Sequence, residues 1–70
     1  MDFSDHLKLT RLFYGLTQSE MAQRLGYKQA IISEVETKRK YASTRLKVAL
    51  TREYPRTAEF ERFLCEMERG

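Results

Sequence analysis

Apolar residues recur along this chain at three- and four-residue intervals, the spacing of one face of an α-helix, and nowhere alternate with polar ones over the length of a strand. Five short helices account for the pattern. The first is expected from a Ser4 N-cap to about Tyr14, with Leu7, Leu12 and either Leu9 or Phe13 turned inward and Gly15 as the stop. The second and third occupy about 18–25 and 29–37. A polar connector, KRKYAS, leads to a fourth helix capped by Ser43 or Thr44 and running to about Glu53, with Leu46, Ala49 and Leu50 as core positions. Pro55 pushes the residue before it out of the α region, so this helix ends near Tyr54. Thr57 then caps a fifth helix over about 57–68. There Phe60, Phe63, Leu64 and Met67 follow i, i+3, i+4, i+7 spacing and charges fill the opposite face.

The segment from Thr17 to Thr37 is the most strongly marked. Thr17 and Glu20 have the T-x-x-E spacing of a capping box, in which each side chain satisfies the other's backbone N–H. Met21, Ala22 and Leu25 form an apolar stripe, and Gly26 follows, where a left-handed residue ends a helix without a Cβ clash. In the next run Ile31, Ile32 and Val35 face inward while Gln29, Ser33 and Glu34 face outward. Two such helices joined by about four residues form a helix-turn-helix. The expected fold is therefore all-α, a single domain over 1–70 with the motif at about 17–37.

Composition narrows the function classes. Seventy residues support one modest core with little stability to spare, so a partner subunit would help. Cys65 is the only cysteine and His6 the only histidine, which leaves no disulfide framework and no metal-ligand spacing. No apolar run is long enough to span a bilayer, and the polar, acidic start MDFSDH does not read as a signal peptide. A cytoplasmic protein is the expectation. The net charge is only +3, but the cations concentrate between Lys38 and Arg56 while the acids gather near both ends. A basic zone beside a helix-turn-helix is the electrostatic footprint that a phosphate backbone calls for.

The string GLTQSEMAQRLGYKQAIISEVE, Gly15 to Glu36, resembles the phage repressor and Cro type of helix-turn-helix DNA-binding domain. With the flanking helices the resemblance covers about residues 6–54. It implies a lambda-repressor-like fold carrying an additional C-terminal amphipathic helix. It also implies double-stranded DNA as partner, with the motif's second helix in the major groove and the first crossing the backbone. Carried over by position, Gln18 is the phosphate contact at the start of helix two. Gln29 and Ala30 lie where base edges are touched, with Ser33 and Glu34 one turn on. A glutamine can bond adenine N6 and N7, an alanine methyl can meet a thymine methyl, and a glutamate can accept from cytosine N4 or repel phosphate. Arg11 and Glu36 match a structural ion pair between helices one and three.

Two positions depart from that pattern. Lys28 stands where the family usually has a capping Ser or Thr, a loss of about 1 kcal/mol that a phosphate contact would offset. Lys38 stands where glycine is common. A non-glycine residue in the left-handed exit costs about 1–2 kcal/mol, which opens the way to a differently shaped exit. Lys38, Arg39 and Lys40 are further phosphate candidates.

No constellation for catalysis is visible, and neither a cofactor, a metal nor a small-molecule ligand is expected. Cys65 is read as a packing residue beside Leu64. The fifth helix is expected to pair two copies through Phe60, Phe63, Leu64 and Met67, setting two recognition helices roughly 34 Å apart on an inverted-repeat operator. Repression governed by concentration alone follows, with no sensing domain in the chain. The rival class is a protein-interaction module, an antitoxin or a phage protein that binds a host protein, because one fold serves many functions.

Overall fold

The computed structural model describes residues 1–69, which form a five-helix globule of 29 × 22 × 21 Å without strands. The helices are α1 (Phe3–Phe13), α2 (Gln18–Leu25), α3 (Gln29–Glu36), α4 (Thr44–Glu53) and α5 (Ala58–Arg69). Each of α2 to α5 lies within a residue or two of its expected span. The core gathers Leu7, Met21, Ala22, Leu25, Ile32, Val35, Leu46, Leu50 and Tyr54. Around it α3 packs on α2 and α1, α4 packs on α2, and α5 lies against α1. None of the described helices is long and apolar enough to cross a membrane.

The first helix starts earlier than its sequence pattern suggests. Asp2, not Ser4, is the cap: its carboxylate accepts from the Asp5 N–H at 3.1 Å, and Asp5 accepts from the Asp2 N–H at 3.4 Å. Starting there brings Phe3 into the helix and onto the core. The inward face also differs. A helix turns by about 100° per residue, so Leu12 lies about 140° from Leu7, and it is half exposed. Thr10, only about 60° from Leu7, is the fully buried one. Its hydroxyl donates to the His6 carbonyl at 2.7 Å, which removes the cost of burying it.

Three helices end in the same way. Two residues past α1 lies Gly15 at φ 66°, directly after α2 lies Gly26 at φ 77°, and two residues past α3 lies Lys38 at φ 64°. In each case the left-handed residue and its successor fold their N–H groups back on the helix. Gly15 donates to Leu12 and Leu16 to Arg11; Gly26 donates to Gln23 and Tyr27 to Ala22; Lys38 donates to Val35 and Arg39 to Glu34. This pair of bonds is the Schellman closure, for which glycine is the easy residue. A differently shaped exit at Lys38 is thus not what the chain adopts.

Local chemistry sets the remaining boundaries. Ser43 Oγ accepts from the Leu46 N–H at 3.1 Å and starts α4. Tyr54, ahead of Pro55, ends it with an extended φ of −131°. Thr57 Oγ1 accepts from the Phe60 N–H at 3.2 Å and starts α5.

The fifth helix corrects an expectation. Phe60 is fully buried and Leu64 nearly so within one chain, so neither is available to pair a second copy. The Phe60 ring sits 5.0 Å from Phe13 and 5.7 Å from His6, and Phe63 lies 5.2 Å from Phe13. Apolar residues at four-residue spacing are needed to close the core over α1, which leaves only the end of the stripe, Met67, half exposed. Cys65 is exposed rather than packed.

His6 is held between Phe3 and Phe60, and its Nδ1 is buried without a partner among the described residues. Burial first, then the positive charge of Arg56, lowers its pKa below 6.5, against a smaller opposing pull from Glu61. The folded state therefore binds this proton less readily than the unfolded chain does. The stability this confers is present above pH 6.5 and lost as the pH falls below it. Urea titrations across that range should give a midpoint that drops on the acid side. His6→Gln, which cannot titrate, should remove that part of the dependence.

Candidate nucleic-acid interface

The motif's two helices are set by a charged hub beneath them. Arg11 on α1 donates through Nε to Glu36 Oε2 at 2.8 Å and through Nη2 to Oε1 at 3.1 Å, a bidentate pair. Its third nitrogen, Nη1, donates to the Leu16 carbonyl at 3.0 Å, and the Leu16 N–H returns to the Arg11 carbonyl at 2.9 Å. The Gln18 amide donates to Glu36 Oε1 at 3.3 Å. Side-chain exposure is 14% for Arg11 and 3% for Glu36, so this is a desolvated pair. One carboxylate at the end of α3 thereby ties down α1, the α1–α2 link and the first residue of α2.

Above this hub, α3 is anchored by Ile32 and Val35, with Ile31 half buried beside them. Lys28, Gln29 and Ala30 are exposed at its start, while Ser33 and Glu34 are half buried one turn on. Lys28 adopts the extended cap conformation but supplies no side-chain acceptor, and no acidic residue occupies the first turn. The Lys28 carbonyl takes the N–H groups of Ile31 and Ile32. The open amides of the first turn, with the positive end of the helix dipole, favour an anion there.

The start of α2 is chemically different. Thr17 Oγ1 accepts from the Glu20 N–H at 3.1 Å and Glu20 Oε1 accepts from the Thr17 N–H at 2.9 Å. Hydrogen bonding to Thr17 lowers the Glu20 pKa, and Arg24 contributes the least of the causes. Glu20 is thus committed to the cap, and no close ion pair with Arg24 forms. Gln18, expected on a phosphate, has its Nε2 occupied by Glu36, so its side-chain amide is a link in the hub.

The cations after α3 divide into two kinds. Lys38 does not project freely: its ammonium lies 3.3 Å from Asp2 and 3.7 Å from Asp5. Its pKa is raised, chiefly by the hydrogen bond and charge of Asp2. Arg39 and Lys40 are exposed and make no ion pair among the described residues. Both of their N–H groups donate to the Glu34 carbonyl, at 2.9 and 3.3 Å. Tyr41 beside them is 99% exposed. Sequence reasoning missed Asp2 and Asp5, although D-x-x-D at the start of an apolar run was a visible capping signal.

Tyr27 covers the core from the turn between α2 and α3. No group of three or more His, Cys, Asp or Glu among the described residues is arranged to hold a metal ion. Comparison of the chain with protein-family models, curated proteins and solved structures returned no match.

The hub gives a stability prediction. Removing one member of a buried pair strands the other charge, at a cost of about 3–5 kcal/mol, whereas replacing both with apolar residues is often nearly neutral. Glu36→Leu should leave the domain largely unfolded by circular dichroism. Arg11→Met with Glu36→Leu should recover most of the lost urea midpoint.

Proposed function

We propose that this chain is a sequence-specific double-stranded-DNA-binding regulator, a small dimeric repressor of the Cro kind working in the cytoplasm. Its α3 reads the major groove of an inverted-repeat operator. One observation carries the reading: α3 is fixed along its back by Ile32, Val35 and Glu36, while Lys28, Gln29 and Ala30 stay exposed at a first turn without acids. A rigid helix with an open, uncapped start presents both a phosphate site and base-reading side chains. In this reading Gln29, Ala30, Ser33 and Glu34 face base edges, and Lys28, Arg39 and Lys40 meet phosphate. No catalytic step, cofactor or small-molecule ligand enters it.

The resemblance to the repressor and Cro type supports the same reading from the sequence side. The second copy would dock on what α5 leaves uncovered, Met67 and the half-buried Phe63, together with Leu12 of α1, which is also half exposed. A protein-binding role is the second reading. Tyr41, a fully exposed aromatic beside the cations, favours it, because aromatic anchors dominate protein interfaces.

Selection of bound sequences from random duplexes tests the choice: enrichment of paired half-sites supports the repressor, and no enrichment sinks it. Gln29→Ala should cost about 1–3 kcal/mol on the selected site and relax preference at one base position. Lys28→Ser should act in two directions at once. A new cap adds about 0.5–2 kcal/mol of stability, while every sequence binds more weakly and the salt slope falls by about 0.9.

The dimer has a separate test. Met67 is half exposed, so Met67→Glu should leave the fold intact and halve the mass seen by light scattering. An unchanged mass removes this face from the interface.

A further inference from the structure

Three residues do the same backbone work in this fold, and two of them are glycine. Gly15, Gly26 and Lys38 each take a left-handed conformation and close a helix with the same two hydrogen bonds. A lysine is the poorer choice for that backbone, so its side chain is where its use must lie. That side chain reaches Asp2 at 3.3 Å and Asp5 at 3.7 Å across to the start of α1. The two acids are already oriented, since each accepts from the other's N–H in the α1 cap. With the Lys38 and Asp2 side chains both more than half exposed, the bridge adds little to global stability. Its effect is local.

We infer that Lys38 is a positioning residue: by bridging the α3 exit to Asp2 and Asp5, it holds Arg39 and Lys40 in the orientation that meets phosphate. This rests on the DNA-binding reading above. Arg39 and Lys40 follow Lys38 directly, both hang from the Glu34 carbonyl at the end of α3, and their charged heads make no ion pair among the described residues. Without the bridge this segment is held only by those two backbone bonds up to Ala42, which packs on the core. A groove whose lining includes Asp2, Phe3, Lys38, Lys40, Tyr41 and Lys47 lies between the segment and the start of α1. Asp2 is the first cause of the raised pKa of Lys38, whereas the lowered pKa of Asp2 comes first from the Asp5 N–H in the cap and only secondarily from Lys38.

The sign of one experiment is decisive. Asp2→Asn with Asp5→Asn removes two negative charges, and Asn at position 2 keeps a good helix cap. Charge alone then predicts tighter binding to duplex DNA. Positioning predicts weaker binding, with a salt slope smaller by about 0.9 for each phosphate no longer neutralised. It also predicts faster exchange of the Arg39 and Lys40 amides, the two held by the Glu34 carbonyl, in the protein without DNA. Lys38→Gly, which keeps the backbone exit, should repeat both effects, and Lys38→Arg should restore wild-type behaviour. Tighter binding by the double variant, or unchanged exchange at those amides, overturns the inference. If the wild-type chain binds no duplex, the DNA reading fails by itself, and the exchange rates still decide whether Lys38 anchors the segment.

Discussion

The carboxylate of Glu36 is the constraint on which the arrangement of this fold depends. A small domain cannot rely on apolar burial alone to fix the angle between short helices, because a modest core tolerates sliding. Glu36 removes that freedom by accepting two nitrogens of Arg11 and the amide of Gln18, from α1 and α2, at the closing turn of α3. Arg11 completes the constraint by holding the Leu16 carbonyl. Desolvated pairs of this kind bring little net stability, since the Coulombic gain is offset by lost hydration. What they exclude is misalignment, because any shift strands a buried charge. The face that α3 presents is fixed from below, which is what a surface that reads another molecule requires.

Much of this was legible because each local signal agreed with its neighbours. The Thr17–Glu20 box, the Met21–Ala22–Leu25 stripe and Gly26 all describe one helix with one start and one end. Consistency of that sort needs no tertiary information. Pro55 and Ser43 marked α4 in the same way. The start of α1 was ambiguous because Asp2 and Ser4 are both good caps. In the fold the start falls at Asp2, where the Asp2–Asp5 box forms and Phe3 packs against the core. That packing is a tertiary effect and invisible in a local pattern. The burial of Thr10 in place of Leu12 has the same origin: a satisfied hydroxyl on the correct face outranks a larger apolar residue on the wrong one.

The fifth helix shows where periodicity stops being informative. A stripe of Phe60, Phe63, Leu64 and Met67 says that one face is covered, and says nothing about what covers it. Here α1 covers most of it, with Phe13 and His6 against Phe60, and only Met67 in the last turn stays half exposed. The site residues divide on the same principle. Exposure at Lys28, Gln29 and Ala30 follows from their register on α3. The engagement of Gln18 and Lys38 depends on residues 18 positions later and 33 to 36 positions earlier in the chain. Pairings on that scale leave no local pattern, and the Arg11–Glu36 pair was legible only through the family resemblance.

The two departures from the repressor pattern are physically of one kind. At Lys28 a helix start goes without the side-chain cap that α1, α2 and α4 all have. At Lys38 a left-handed turn goes without glycine, although two equivalent turns have it. In both places the chain accepts poorer local backbone chemistry, and in both it gains a cation at an end of α3. A sequence under pressure for stability alone would place serine and glycine there, residues it uses freely elsewhere for the same purposes. Departure from local consistency at both ends of one helix, in a domain otherwise largely consistent, is where a functional or strained site is to be looked for. Four of the acids follow the same division, while Glu34 on α3 itself makes no ion pair among the described residues. Glu36 is buried under α3, Glu20 is tied into a cap, and Asp2 and Asp5 are paired with Lys38. Each of these negative charges is engaged within the chain, whereas Lys28, Arg39 and Lys40 at the two ends of α3 make no ion pair among the described residues.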